Sequence, residues 1–119
     1  MIIGIDLGTT NIKAAIYDKE MNLKDRRSVA VSYIKENGFV EFDAAKYAEN
    51  LIGLLKTMLL ENKIDAVNEI AFTGQAESLV VLGEDDKPLM NAISWMGERS
   101  VSDIIYIATA IAVTIAVID

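Results

Sequence analysis

The sequence predicts a mixed α/β domain built from three antiparallel strands, a crossover helix and a parallel strand. Two patterns in the 119 residues support this prediction. Apolar and alternating stretches fill residues 2–33 between short polar turns, which is typical of strands joined by hairpins. Apolar side chains then recur at helical spacing over residues 47–59, ahead of another apolar stretch at residues 69–73. A helix placed between such stretches favours a crossover onto a parallel strand.

The strands before the helix are predicted from apolar runs and the turns that separate them. Residues 2–7 are expected to form a fully buried strand, and residues 11–17 its hairpin partner. Alternating β-branched and aromatic residues extend a third antiparallel strand over residues 23–33. An Asn-Gly pair at residues 37–38 marks another turn, and residues 39–42 form a short extended stretch.

The helix and the second half of the chain follow from capping and spacing. Asp43 is predicted to cap a helix that runs to about Asn62. The apolar stripe that this helix would bury on the sheet consists of Tyr47, Leu51, Leu54, Leu55, Met58 and Leu59. After the parallel strand, further strands are expected at residues 78–82 and 92–95, on either side of an acidic turn. This succession is the start of a ribonuclease H-like sheet.

The composition excludes several classes of function. A formal net charge of −7 argues against nucleic-acid binding, which needs a basic surface to displace counterions. The absence of cysteine and histidine excludes disulfides, thiolate zinc sites and Ser-His-Asp catalysis. Acid–base chemistry would therefore fall to carboxylates or lysines. No basic leader followed by an apolar run opens the chain, so we expect a cytoplasmic protein.

The turn between the first two strands carries groups suited to ligand binding. Asp6 supplies a carboxylate, and Gly8 lets the backbone approach a ligand closely because it has no Cβ. Backbone N–H groups, side-chain donors and a positive charge follow at Thr9, Thr10, Asn11 and Lys13. Such groups suit the phosphates of a nucleotide and a magnesium ion. The same residues also fit an ordinary hairpin turn, because glycine-containing turns between strands are common.

Two later segments carry polar and aromatic residues that suit a polyol. The sequence Phe-Thr-Gly-Gln-Ala-Glu at residues 72–77 follows the parallel strand, and ligands tend to bind at the carboxyl ends of such strands. Gln75 and Glu77 can hydrogen-bond sugar hydroxyls. Trp95 can stack on a sugar ring, with Arg99 close after it in the sequence. Taken separately, these segments also fit a polar loop, a core aromatic and a surface arginine.

The three segments in succession resemble a known family. Gly-Ile-Asp-Leu-Gly-Thr-Thr at residues 4–10 resembles the first phosphate-binding motif of the actin-like ATPase superfamily. With Thr-Gly-Gln-Ala-Glu-Ser at 73–78 and Lys-Pro-Leu-x-x-Ala-Ile-x-Trp-x-x-x-Arg at 87–99, the chain is similar to FGGY-family carbohydrate kinases. The likeness covers roughly residues 2–100 and is greatest for the xylulose, gluconate and glycerol kinases. Members have two ribonuclease H-like domains, so the resemblance implies a truncated first domain.

The resemblance implies ATP-dependent phosphorylation of a sugar or polyol hydroxyl. The phosphates of ATP would contact Gly8, Thr9, Thr10, Asn11 and Lys13, and Mg²⁺ would contact Asp6. The sugar pocket would be lined by Gln75, Ala76, Glu77, Trp95 and Arg99. The sequence departs from the family at Gly97, where an acidic residue is usual. The aspartate that acts as catalytic base is expected beyond residue 119, so no catalytic residue and no activity are expected of this chain alone.

The uncharged residues 104–118 differ from everything before them. Their odd positions are all β-branched, which suits a strand, while frequent alanines permit a helix. The run is short for a membrane span, which needs about 20 apolar residues, so no membrane partner is expected. We expect a partial kinase domain at residues 1–103 and a tail at 104–119 that arises from truncation or a change of frame. Self-association through the tail is a further expectation.

Two other functions stay open on the sequence. The chain could be a non-catalytic relic or interaction module of the same fold. It could also be a fragment of an actin-like or chaperone-type ATPase, since those proteins share the opening motif. The chaperone ATPases lack the second and third segments, which favours the kinase.

Overall fold

The computed structural model describes residues 1–97, which form two β-sheets and one α-helix. The elements are β1 (Ile2–Leu7), β2 (Asn11–Tyr17), β3 (Leu23–Ala30), β4 (Ile34–Glu36), β5 (Phe39–Phe42), α1 (Ala44–Glu61), β6 (Glu69–Gly74) and β7 (Ala92–Ile93). One sheet has the strand order β3-β2-β1-β6, and the other has the order β4-β5-β7. The predictions for Arg99 and for the tail lie outside the described residues.

The predicted mixed sheet is confirmed. Strand β1 pairs antiparallel with β2, where Ile5 lies opposite Ala14, and parallel with β6, where Ile5 lies opposite Phe72. The parallel pairing is possible because α1 carries the chain back to the start of the sheet. As a result, β1 and β6 end side by side, with Leu7 opposite Gly74. Whatever follows these two strands must therefore lie at one edge of the sheet.

The hydrophobic core lies between α1 and one face of the four-stranded sheet. Its buried members are Ile3 and Ile5 of β1, Ala14 and Ile16 of β2, and Met58 of α1. Four further members of the predicted helical stripe pack around them, namely Leu51, Leu54, Leu55 and Leu59, whereas Tyr47 packs on Phe42 instead. The prediction of a fully buried first strand is wrong. Only Ile3 and Ile5 are buried in β1, because α1 covers a single face of the sheet.

Side-chain hydrogen bonds fix both ends of α1. Asp43 caps the helix as predicted, accepting a hydrogen bond from the Lys46 N–H at 2.9 Å. At the other end, Asn62 Nδ2 donates to Asp25 Oδ2 at 2.7 Å, and Arg27 forms an ion pair with the same carboxylate at 2.9 Å. The Arg27 guanidinium and the Asn62 amide hold the pKa of the Asp25 carboxyl below its usual value. The helix is thereby attached to β3.

The third strand is shorter than predicted. It ends at Ala30 instead of continuing to residue 33, because its partner β2 begins at Asn11, opposite Ala30. The Val31 N–H makes one further bond in the same register, to the Thr10 carbonyl at 3.0 Å. The chain then leaves the sheet, and residues 34–36 pair with β5 as a separate short strand.

The prediction of a strand at residues 78–82 is wrong, and the strand predicted at 92–95 is shorter than expected. Residues 78–82 contribute single bridges, one of them between Leu82 and Pro88. Since Pro88 has no backbone N–H, a regular ladder cannot continue through it. Strand β7 covers only residues 92–93 and pairs with β5, so it builds the smaller sheet.

The outer strand β6 is exposed along its length. Phe72 shares a sheet face with the buried Ile5, yet Phe72 is 63% exposed. The cause is the position of α1, which contacts β3 and β2 and leaves the β6 side of that face uncovered. Within residues 1–97, no helix combines the length and apolar character that crossing a bilayer would require.

The core position of Met58 provides a test of the fold. Met58 is 0% exposed and Leu60, two residues along the same helix, is 79% exposed. Met58→Ala should lower the free energy of unfolding by about 2–5 kcal/mol, because it removes buried contacts and leaves a cavity. Leu60→Ala should change it by less than about 0.5 kcal/mol. Urea unfolding followed by circular dichroism measures both changes, and equal effects of the two substitutions would contradict this packing.

Candidate functional site

The candidate site forms where β1 and β6 end. The turn of residues 8–10 follows β1, and the loop of residues 75–78 follows β6. The Gln75 N–H donates to the Leu7 carbonyl at 3.0 Å, so loop and turn leave the sheet together. A Cβ at Gly74 would lie 2.8 Å from the Leu7 Cβ, so glycine permits this close approach. The parallel register thus brings two of the predicted segments into contact.

The turn itself requires a glycine. A Cβ on Gly8 would collide with the carbonyl oxygen of Asn11, and it would lie 3.6 Å from Asp6 Oδ1. Backbone atoms cannot move aside as a flexible side chain can. The turn is therefore specified by the absence of a side chain at Gly8, and the Asp6 carboxylate sits beside it.

A closed set of hydrogen bonds joins the turn to the loop and to Trp95. Trp95 Nε1 donates to Thr9 Oγ1 at 2.9 Å, and Thr9 Oγ1 donates to Gln75 Oε1 at 3.3 Å. Ser78 Oγ donates to the same Gln75 oxygen at 3.1 Å and accepts from the Trp95 N–H at 3.3 Å. Each of the four residues is bonded to two others. The side chains of Thr9, Gln75 and Trp95 therefore hold one another in position.

Two tyrosines also hold the turn, through its backbone carbonyl groups. Tyr47 OH donates to the Gly8 carbonyl at 3.0 Å, and Tyr33 OH donates to the Thr9 carbonyl at 2.6 Å. Both rings pack on Phe42, with centroid distances of 5.4 Å for Tyr47 and 5.8 Å for Tyr33. Burial raises the pKa of both phenols, that of Tyr47 to about 12, so both are protonated donors at neutral pH.

The charged part of the site lies on the exposed side of the sheet. Lys13 is opposite Asp6 in the β1–β2 register, and Lys13 Nζ lies 3.1 Å from Asp6 Oδ2. A shallow concavity of about 280 Å³ runs over this pair and Thr73. Within residues 1–97 there is no group of three or more acidic side chains placed to hold a metal ion. Any metal bound here would rely on Asp6 together with water and ligand oxygens.

The structure brings some of the predicted site residues together and leaves others apart from them. It brings together Asp6, Gly8, Thr9, Lys13, Gln75 and Trp95. Thr10, Ala76 and Glu77 are exposed, and Asn11 begins β2. In the described part of the chain, the side chains of Thr10, Asn11 and Glu77 make no hydrogen bond or ion pair, and Glu77 has a left-handed φ of 63°. Arg99 is outside the described residues.

The sequence analysis missed Tyr33, Tyr47 and Ser78. In the sequence, Tyr33 belongs to the alternating pattern of the third strand and Tyr47 to the apolar stripe of the helix. Both patterns predict core positions for these rings. A hydroxyl within an otherwise apolar stripe was the available signal, because a buried phenol needs a hydrogen-bond partner. Gly97, where the family resemblance leads us to expect an acidic residue, lies close to the smaller sheet. A Cβ there would be 2.9 Å from the Val40 nitrogen.

The fold and site define the class of protein. A sheet in the order β3-β2-β1-β6, with a crossover helix before the parallel strand, is the start of a ribonuclease H-like domain of the actin-like ATPase superfamily. The FGGY family of carbohydrate kinases, N-terminal domain, matches residues 1–112. The chain belongs to this family.

Individual relatives agree with the family match. A glycerol kinase of Staphylococcus haemolyticus is 30% identical over 105 residues, which cover 85% of this chain and 21% of that protein. The crystal structure of a ligand-bound xylulose kinase from Lactobacillus acidophilus matches with a TM-score of 0.71 and 32% identity, over 81% of this chain and 20% of the other. The crystal structure of Plasmodium falciparum glycerol kinase with ADP matches with a TM-score of 0.71 and 28% identity, over 92% of this chain and 22% of the other. The chain thus spans about a fifth of the length of these proteins.

The single tryptophan reports on the bond between Trp95 and Thr9. Thr9→Val keeps the size and branching of the side chain but removes the hydroxyl that joins Trp95 to Gln75. We expect a change in the tryptophan emission spectrum and a loss of about 1–2 kcal/mol in the free energy of unfolding. Thr10→Val is the matched control, because the exposed Thr10 side chain makes no hydrogen bond within residues 1–97. Spectra that are unchanged in both variants would rule out the bond.

Proposed function

We propose that this chain supplies the phosphate-binding turn and one wall of the acceptor pocket of an ATP-dependent sugar or polyol kinase. The hydrogen-bonded contact between the turn and the loop carries the proposal, since it joins Thr9 to Gln75 and Trp95. A kinase must hold a phosphoryl donor and an acceptor hydroxyl next to each other. Membership of the FGGY family supports the proposal.

The turn would bind the phosphates through its backbone. The N–H groups of Thr9 and Thr10 donate no hydrogen bond to any other group in residues 1–97. Successive unpaired N–H groups form an anion-binding concavity. Lys13, the third residue of β2, adds a positive charge three residues beyond the turn. The Thr9 hydroxyl is held by Trp95 and Gln75, so its backbone N–H is the better placed phosphate donor.

Asp6 is suited to act as a ligand of Mg²⁺. Mg²⁺ in phosphate-transfer sites is usually held by one or two carboxylates, with water and phosphate oxygens completing its octahedron. Asp6 is a partly exposed carboxylate beside the turn, and one of its oxygens contacts Lys13. Mg²⁺ held there would neutralise charge on the phosphates during transfer. Asp6 and Lys13 together would place one carboxylate and one cation at the edge of the phosphate site.

The acceptor would lie against the loop and Trp95. Gln75 and Glu77 provide hydrogen-bonding groups for hydroxyls, and Ala76 leaves space between them. The Trp95 side chain, 51% exposed, offers an apolar ring face to a sugar while its N–H holds Thr9. Arg99 would complete this side of the pocket. Glycerol, xylulose and gluconate are the acceptors to test first, because kinases with those names are among the related proteins.

In the proposed reaction the oxygen of an acceptor hydroxyl attacks the γ-phosphorus of ATP. The bond from that phosphorus to the β–γ bridging oxygen breaks, ADP leaves, and the hydroxyl proton is released. Catalysis of such a transfer rests mostly on positioning and charge stabilisation. Because the chain spans about a fifth of the length of its relatives, we expect it to bind ligands without turning them over.

The two glycines Gly8 and Gly53 allow a direct test. Gly8→Ala forces a collision with the Asn11 carbonyl and should lower the affinity for MgATP by at least about tenfold. Gly53→Ala should leave affinity unchanged, because nothing lies within 4 Å of a Cβ at that helical position. Isothermal titration calorimetry with the 119-residue chain measures both. No binding of MgATP by the unaltered chain, or equal affinity in both variants, would contradict the proposal.

A further inference from the structure

We propose that Tyr33 and Tyr47 are positioning residues that aim the backbone N–H groups of the turn by holding its carbonyl groups. The inference deepens the proposed function, on which it rests for the identity of the anion. It starts from the two hydrogen bonds that the phenols donate to the Gly8 and Thr9 carbonyls, at 3.0 and 2.6 Å.

Peptide geometry links these carbonyls to the N–H groups of the next residues. No described peptide bond is cis. In a trans peptide the C=O and the following N–H point in opposite directions across a rigid plane. A Gly8 carbonyl directed at Tyr47 therefore directs the Thr9 N–H away from Tyr47. The Thr9 carbonyl bound by Tyr33 does the same for the Thr10 N–H.

The two N–H groups aimed in this way donate no hydrogen bond within residues 1–97. Backbone groups of a folded chain are usually paired, and an exposed pair of successive donors is suited to an anion. The tyrosines thus satisfy the acceptors of the turn and leave its donors available. If the carbonyls were free, either peptide plane could rotate and present an oxygen to the phosphate, which would repel it.

The tyrosines are themselves fixed by packing. Phe42, 5% exposed, contacts both rings, which come from separate parts of the chain. Tyr33 follows β3 and Tyr47 lies in the first turns of α1. A phenol is protonated at neutral pH, and burial raises the pKa of both tyrosines further, so they donate and place no negative charge beside the phosphate site. The turn carbonyls are therefore held by packed, neutral donors.

The test uses the full 119-residue chain with ¹³C and ¹⁵N labels. Tyr33→Phe and Tyr47→Phe each remove one hydroxyl while keeping the ring, and a double variant removes both. Tyr17→Phe is the matched control, because Tyr17 lies at the other end of β2, opposite Ile2. The measurements are the carbonyl ¹³C shifts of Gly8 and Thr9, the affinity for MgATP and the melting temperature.

We expect Tyr47→Phe to move the Gly8 carbonyl shift and Tyr33→Phe to move the Thr9 shift, each upfield. The double variant should bind MgATP about tenfold more weakly than the unaltered chain, since two hydrogen bonds that orient the donors are lost. Tyr17→Phe should change neither quantity. A purely structural role would instead lower the melting temperature and leave the affinity of the folded protein unchanged, which would overturn the proposal.

The carbonyl shifts separate this inference from the proposed function. If the unaltered chain fails to bind MgATP, the proposed function fails, and the carbonyl shifts alone then decide whether the tyrosines hold the turn. If the chain binds MgATP but the Gly8 and Thr9 carbonyl shifts stay unchanged in the variants, the positioning role is wrong and the proposed function stands.

Discussion

The parallel pairing of β1 with β6 is the constraint on which the rest of the site depends. It makes Leu7 and Gly74 neighbours, so the turn after one strand and the loop after the other begin at the same point. Gly74 permits this approach because a side chain there would overlap Leu7. Since Gln75 follows β6 directly and Thr9 follows β1, a shift in this register would break the bond between Thr9 and Gln75.

The turn is held both through its backbone and through one of its side chains. Tyrosine hydroxyls donate to the Gly8 and Thr9 carbonyls, and the Thr9 hydroxyl bonds to Trp95 and Gln75. Backbone acceptors and one side chain are thereby satisfied by protein groups. Within residues 1–97, the N–H groups of Thr9 and Thr10 stay available as donors beside an Asp6–Lys13 ion pair. Such an arrangement, with its acceptors paired and its donors available, suits the proposed phosphate ligand.

Much of the fold could be predicted from sequence because its patterns are local. The alternation in β2, the cap at Asp43 and the helical stripe around Met58 each follow from short-range periodicity. The ends of β3 and β7 could not be predicted, since they depend on how far the partner strands β2 and β5 extend beside them. The site could likewise be predicted only where its pattern is local. Gly8 and the pair Thr9-Thr10 indicate the turn from sequence, whereas Tyr33 and Tyr47 resemble core residues until the fold shows which carbonyls they contact.

The central claim is that the turn and the loop form one binding site that shares Thr9. An amide ¹⁵N–¹H titration of the labelled chain with MgATP tests it most directly, because Trp95 gives a single indole N–H signal. The account predicts that the Thr9 and Thr10 amides and the Trp95 indole shift together, with one dissociation constant. Movement of the amides with an unmoved indole signal, or shifts confined to residues far from the turn, would contradict it.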